Sequence, residues 1–183
     1  MNFKETPFDG LWIVDTKKII DERGVFFRTY CEDSFSKIKW EGKFVQQNIS
    51  INYKKGTFRG LHFQKSPFEE EKLVRCVVGS VLDIVVDLRK NSSTYLKHFE
   101  IELSSDNCLG LFIPKGFAHG FVVLSKLARV SYKVDNYYNP SSEEGLNYND
   151  PELNIDWKIE EKEIIINSKD CNYSDFNSKI FFK

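Results

Sequence analysis

The chain has 183 residues, 41% of them hydrophobic and 15% aromatic, which is enough apolar material for one buried core, so a single domain over residues 1–183 is expected. Its 26 basic and 27 acidic residues leave a net charge of −1, which excludes the broad cationic surface that nucleic acid or anionic lipid demands. The start, MNFKETPFDG, has no hydrophobic signal region, and no apolar run is long enough to span a bilayer, so no membrane partner is indicated and a cytoplasmic location is expected.

In chain order, the first candidate element is a short helix in EDSFSKIKW, residues 32–40. From about residue 43 to 138 the chain becomes a succession of short runs rich in Val, Ile, Phe and Tyr: KFVQQNISINY, TFRGLHF, KLVRCVVG, SVLDIVVDLR, HFEIELS, CLGLFIP, HGFVVLS and ARVSYKV. Turn signals such as YKKG, GS, RKNSS, SSDN and PKG separate them at close, regular intervals. That pattern predicts an all-β sandwich or barrel, best matched by a jelly roll with short peripheral helices. After Pro151 the tail mixes extended and short helical pieces. Cys31, Cys76, Cys108 and Cys171 show neither a CxxC motif nor metal-ligand spacing, so reduced thiols are expected.

The segment FRGLHFQ, residues 58–64, is unlike its neighbours because it carries an Arg, a His and a Gln within a strand otherwise suited to burial. Strict alternation places Phe58, Gly60, His62 and Gln64 on one face and Arg59, Leu61 and Phe63 on the other. Of the three histidines, His62 and His119 lie in the glycine-marked strand segments RGLHF and FAHGF, while His98 does not. A lone strand histidine is ordinarily a hydrogen-bonded core residue. Many double-stranded barrels instead hold a metal through an HxH pair, but position 64 is Gln, so no metal site is expected.

Acid–base chemistry on an anionic ligand is the remaining reading, and the residue types it needs are present. His62 has the character of a base, Tyr132 in VSYKV is a phenol on a strand, Lys72 in EKLVRC suits an oxyanion, and Arg23, Arg59 and His119 suit phosphates. Each also has an ordinary structural explanation, and spacing alone does not choose between them.

The ordered series DERGVFF, FVQQNIS, FRGLHFQ, KLVRCVVGSVLDIVVDLRK, IPKGFAHGFVVLS, YKVDNYYNPSSE, YNDPELNIDW and SKD resembles the dTDP-4-dehydrorhamnose 3,5-epimerase family along nearly the whole chain. The resemblance implies a cupin-type double-stranded β-helix, no metal or organic cofactor, and a homodimer whose N-terminal strands extend over the partner. It implies that His62 is the base removing the proton next to the C4 ketone of a nucleotide-diphosphate sugar, partnered by Asp170. Tyr132 becomes the acid acting on the other face and Lys72 the enolate stabiliser. Arg23, Gln46, Gln47, Asn48, Arg59, His119, Tyr138, Glu143 and Lys169 fall on or beside binding positions, with Phe26 and Arg28 in the nucleobase region. The implied activity is inversion at C3 and C5 of a 4-keto-6-deoxyhexose, most simply dTDP-linked, in a deoxysugar pathway feeding surface polysaccharide. Alternatives are inversion at one carbon of a dTDP- or CDP-sugar, or a non-catalytic sugar-nucleotide-binding cupin, which would be expected to lose the base or the acid. One departure bears on the base: where the family commonly has Glu after FF, this chain has Arg28, a donor in place of an acceptor, which suits the N3 acceptor of cytosine better than the N3–H of thymine. Gln47 and Ile49 also differ from the family's usual Asp and His.

Overall fold

The computed structural model describes residues 1–176. The eight apolar runs form consecutive antiparallel strands: β5 (Gln46–Asn52), β6 (Phe58–Gln64), β7 (Lys72–Val78), β8 (Ser80–Asp87), β9 (His98–Ser104), β10 (Gly110–Ile113), β11 (Phe117–Val123) and β12 (Ala128–Val134). Preceding them are β1 (Asn2–Glu5), β2 (Trp12–Asp15) and a small hairpin of β3 (Ile19–Asp21) and β4 (Gly24–Phe26); β13 (Glu143–Gly145) follows. One sheet has the order β1-β2-β10-β7-β12-β5 and the other β13-β6-β11-β8-β9, while β3 and β4 pair only with each other. The two large sheets are the walls of a jelly-roll barrel.

Alternation along the strands sorts the side chains into three layers. Between the sheets lie Val74 and Cys76 of β7, Val81 and Val85 of β8, Phe121 and Val123 of β11, and Ala128 and Val130 of β12. Behind the five-stranded sheet, Leu82, Ile84, Val86 and Val122 pack against Leu146, Leu153 and Trp157 of the C-terminal segment. Behind the six-stranded sheet, Val14, Leu73 and Phe112 are covered by Phe35 and Trp40. That cover comes from the region expected to be helical, which forms α1 (Glu32–Phe35) and a 3-10 turn over Ser36–Ile38. A four-residue helix has little stability of its own. Phe35 holds it in place, fully buried among Phe3, Tyr30, Trp40, Phe44 and Phe112.

The strict alternation expected for FRGLHFQ breaks in its middle. His62 pairs with His119, but Arg59 pairs with Phe121, so three steps on β6 match two on β11. The extra residue is a bulge, and a bulge shifts the side-chain phase by one. Phe58, Leu61 and Phe63 therefore all join the layer behind the sheet, while Arg59, His62 and Gln64 line a cavity in the barrel. The expected separation of Arg59 from His62 is thereby corrected. Gly60 makes this possible: its φ is +136°, and a Cβ there would sit 2.5 Å from the Cα of Gly120. Gly60→Ala is expected to cost about 1–3 kcal/mol through positive φ and backbone collision, read as a lowered denaturation midpoint; an unchanged midpoint would show that the two strands part easily.

Candidate active site

The barrel opens at one end into a cavity of about 520 Å³ whose walls come from both sheets. From the five-stranded sheet, β6 contributes Arg59, His62 and Gln64 and β11 contributes His119. From the six-stranded sheet come Gln46, Asn48 and Ser50 of β5, Lys72 of β7 and Tyr132 of β12. His62 and Tyr132 thus stand on opposing walls.

His62 is tied to Asp170, its Nε2 lying 2.8 Å from Oδ1. Asp170 sits on the short helix α2 (Ser168–Cys171), where Asn167 caps the helix by accepting a hydrogen bond from the Asp170 N–H. Its other oxygen, Oδ2, accepts from the Gly60 N–H at 3.2 Å. Asp170 is 1% exposed. Burial works against its ionisation, but the hydrogen bond from His62, that ring's charge and the Gly60 N–H outweigh it and hold the carboxyl below its ordinary 3.8. Stability from this carboxylate is therefore complete above 3.8 and is lost as pH falls through the lower folded value.

Across the cavity, the Lys72 ammonium lies 2.9 Å from Glu70, both side chains 12% exposed. Tyr132 is pushed above the usual phenol range, chiefly by burial and then by the negative charges of Glu70 and Glu143, with Arg59 opposing. Arg59 donates through Nε to Asn52 Oδ1 at 2.8 Å, which steadies its guanidinium at the cavity. His119 Nε2 lies 3.0 and 2.9 Å from the two oxygens of Asp83. Asp83 has no solvent exposure, so the interior holds a second histidine–carboxylate pair beside the first.

At the rim, Glu143 Oε2 accepts from Tyr138 Oη at 2.6 Å and from Lys169 Nζ at 2.5 Å. Burial resists the Glu143 charge, yet these two donors hold its carboxyl below the usual range. Gln46 Oε1 accepts from the Tyr138 N–H at 2.9 Å. Three distant segments are thus laced together at the opening.

Four of the expected residues lie elsewhere. Arg23 and Phe26 are on the β3–β4 hairpin, where Arg23 pairs with Asp21 at 2.6 Å and Phe26 is 68% exposed. Arg28 follows that hairpin and is exposed, its Nη1 4.0 Å from the Cys31 sulfur. Gln47 faces the outside of the six-stranded sheet, bonded to Ser131 and Lys133, because it is one step out of phase with Gln46 and Asn48. Conversely, Asp83, Glu70 and Asn52 belong to the site and were not anticipated. Asp83 carried a signal, a carboxylate within the apolar run SVLDIVVDLR, since such a group needs a buried partner. Glu70, among the neighbours Glu69 and Glu71, carried none. Among the described residues no cluster of three or more His, Cys, Asp or Glu side chains is placed to hold a metal ion.

The sequence model of dTDP-4-dehydrorhamnose 3,5-epimerase matches residues 5–178. The chain is 42% identical to the dTDP-4-dehydrorhamnose 3,5-epimerase of Methanothermobacter thermautotrophicus over 93% of its own length and 92% of that protein's. Among solved structures, the enzyme of that name from Elizabethkingia anophelis superposes with a TM-score of 0.93 at 46% identity, covering 98% of each chain. The dTDP-6-deoxy-D-glucose-3,5-epimerase of Legionella pneumophila, solved with dTDP-4-keto-L-rhamnose, superposes at 0.90 with 39% identity, covering 95% of this chain and 92% of that one.

Proposed function

Because the chain belongs to the dTDP-4-dehydrorhamnose 3,5-epimerase family, we propose that its cavity inverts C3 and C5 of dTDP-4-dehydro-6-deoxy-D-glucose to give dTDP-4-dehydro-L-rhamnose. The observation that carries this reading is the placement of a carboxylate-bound histidine and a half-buried tyrosine on opposing walls of one cavity. A hydrogen next to the C4 ketone is acidic because the charge left behind moves onto oxygen. His62 takes that proton. With Nε2 bonded to Asp170, the ring's lone pair is on Nδ1, and the buried carboxylate stabilises the imidazolium that forms. The Lys72 ammonium meets the charge on the C4 oxygen, an interaction that strengthens as the enolate develops.

Inversion requires the new proton to arrive from the face opposite the base. Tyr132, on the other sheet and raised in pKa by burial first, carries a proton at neutral pH and delivers it there. The second inversion repeats the cycle on the other carbon of the same ketone. Arg59 and His119 hold the diphosphate and sugar, with Gln46, Asn48, Tyr138, Glu143 and Lys169 around them.

A second copy of the chain completes the site. The β3–β4 hairpin exposes Ile19, Ile20, Val25 and Phe26, and the outer face of the six-stranded sheet exposes Ile49, Ile51 and Val77, an apolar surface that solvent leaves costly. A homodimer covers it and brings Arg23, Phe26 and Arg28 of one protomer toward the nucleotide in the other. Ile51→Glu is expected to yield monomers in analytical ultracentrifugation with at least tenfold weaker turnover; a fully active dimer would count against this arrangement.

The direct test is proton NMR in D2O with 4-keto-6-deoxyglucose linked to dTDP or to CDP. Deuterium entry and inversion at both carbons of the dTDP sugar support the proposal. Exchange at a single carbon identifies a one-centre epimerase, and turnover restricted to the CDP sugar shows that Arg28 has changed the base that is read.

A further inference from the structure

The reaction proposed above gives no part to Glu70, although its carboxylate lines the cavity and is only 12% exposed. It is held at both ends. Oε1 lies 2.9 Å from the Lys72 ammonium, and Oε2 accepts from Gln64 Nε2 at 3.4 Å. Gln64 is itself fixed, donating to the Phe68 carbonyl at 3.2 Å and accepting from the Asn139 N–H at 2.8 Å. A negative group is a poor choice for a cavity that binds a diphosphate and must carry an enolate, since like charges repel there. Yet it is ion-paired with Lys72 in the cavity that Tyr132 also lines.

We propose, on the basis of the epimerase reading, that Glu70 is a positioning residue that keeps the Lys72 ammonium on the cavity wall and the Tyr132 hydroxyl in its proton-bearing form. A lysine side chain is a flexible stem carrying a point charge, and an ion pair in a shielded site restricts where that charge can lie. A phenolate at Tyr132 would form in the same cavity that the Glu70 carboxylate lines, and a like charge there disfavours it. The other charged or titratable groups at Tyr132 are Glu143 of β13, which also opposes the phenolate, and Arg59 of β6, which favours it. Lys72, His62, His119 and Tyr138 line the same cavity. The residues paired with Tyr132 on β5 and β7 are the neutral Asn48 and Val74. Removing the Glu70 charge therefore makes the Tyr132 proton easier to lose as the pH becomes alkaline.

The experiment uses Glu70→Gln, which preserves shape and removes charge, with Glu70→Asp as a second variant that keeps the charge. Tyr132 ionisation is read without any turnover, as the ultraviolet tyrosinate signal lost when Tyr132→Phe is added to each protein. The alkaline limb of net inversion is then followed for the same proteins. In Glu70→Gln, Tyr132 should ionise at lower pH and the alkaline limb should move down with it, so that the ratio of exchange to inversion rises as pH rises; Glu70→Asp should restore part of both shifts. Unmoved Tyr132 ionisation in folded Glu70→Gln overturns the proposal. A shifted ionisation in a protein whose unmodified form exchanges no sugar proton upholds Glu70's hold on Tyr132 and removes the epimerase reading instead.

Discussion

In His62→Ala, deuterium entry at both C3 and C5 is expected to fall to the background rate while the nucleotide still binds. A positioned general base contributes roughly two to four decades of rate, or about 3–5 kcal/mol of barrier. This variant loses the base and strands its partner, because Asp170 is 1% exposed and spends an oxygen on His62. Both carbons must fail together, since they flank one ketone and only one such base faces it in the proposed pose. The fold should survive: the His62 side chain is 31% exposed and lies outside the three apolar layers. Isothermal titration with dTDP reports the intact nucleotide site, and NMR in D2O reports exchange. Unchanged exchange would falsify the assignment of His62 as the base. Loss at one carbon alone would require a second base, for which the His119–Asp83 pair is the nearest candidate.

Tyr132→Phe is expected to separate the two halves of the reaction. The substitution deletes one hydroxyl and leaves the ring in its strand position between Asn48 and Val74. Proton removal needs His62 and Lys72, both of which remain, so solvent deuterium should still enter at C3 and C5. Return of the proton from the opposite wall needs the phenol, so inversion should drop by roughly two to four decades. The product is the unaltered sugar, labelled with deuterium and retaining its configuration. A variant in which exchange and inversion decline equally places Tyr132 in proton removal as well. The contrast between the two variants is more informative than either alone, because a general loss of folding would suppress both processes in both proteins.

Particular residues show how far sequence reading reached. The strands from β5 to β12 were legible because a half-buried strand must alternate and a turn must use Gly, Asn, Pro or Ser, and both rules act over a few residues. The short helix was legible for the same reason, although only Phe35 and its aromatic neighbours account for its persistence. His62, Lys72, Tyr132 and Asp170 were named from motifs whose order along the chain resembles one family, and their residue types alone suited acid–base chemistry. What alternation predicted wrongly was the relation of Arg59 to His62. A bulge that depends on two glycines meeting across strands, Gly60 and Gly120, reverses the phase between them.

The sequence by itself determined the class of fold, the chemical types available to the site and the family to which the chain is similar, because these follow from local periodicity and from motifs read in order. Only the tertiary structure decided which of those groups meet. Asp170 reaches His62 across 108 positions of chain and Asp83 reaches His119 across 36, while Tyr132 comes to oppose His62 because β12 and β6 belong to different sheets. Glu70 stands apart from its acidic neighbours only through its hold on Lys72 and Gln64. Contacts of this kind depend on strand order, register and burial. No window of a few residues contains them.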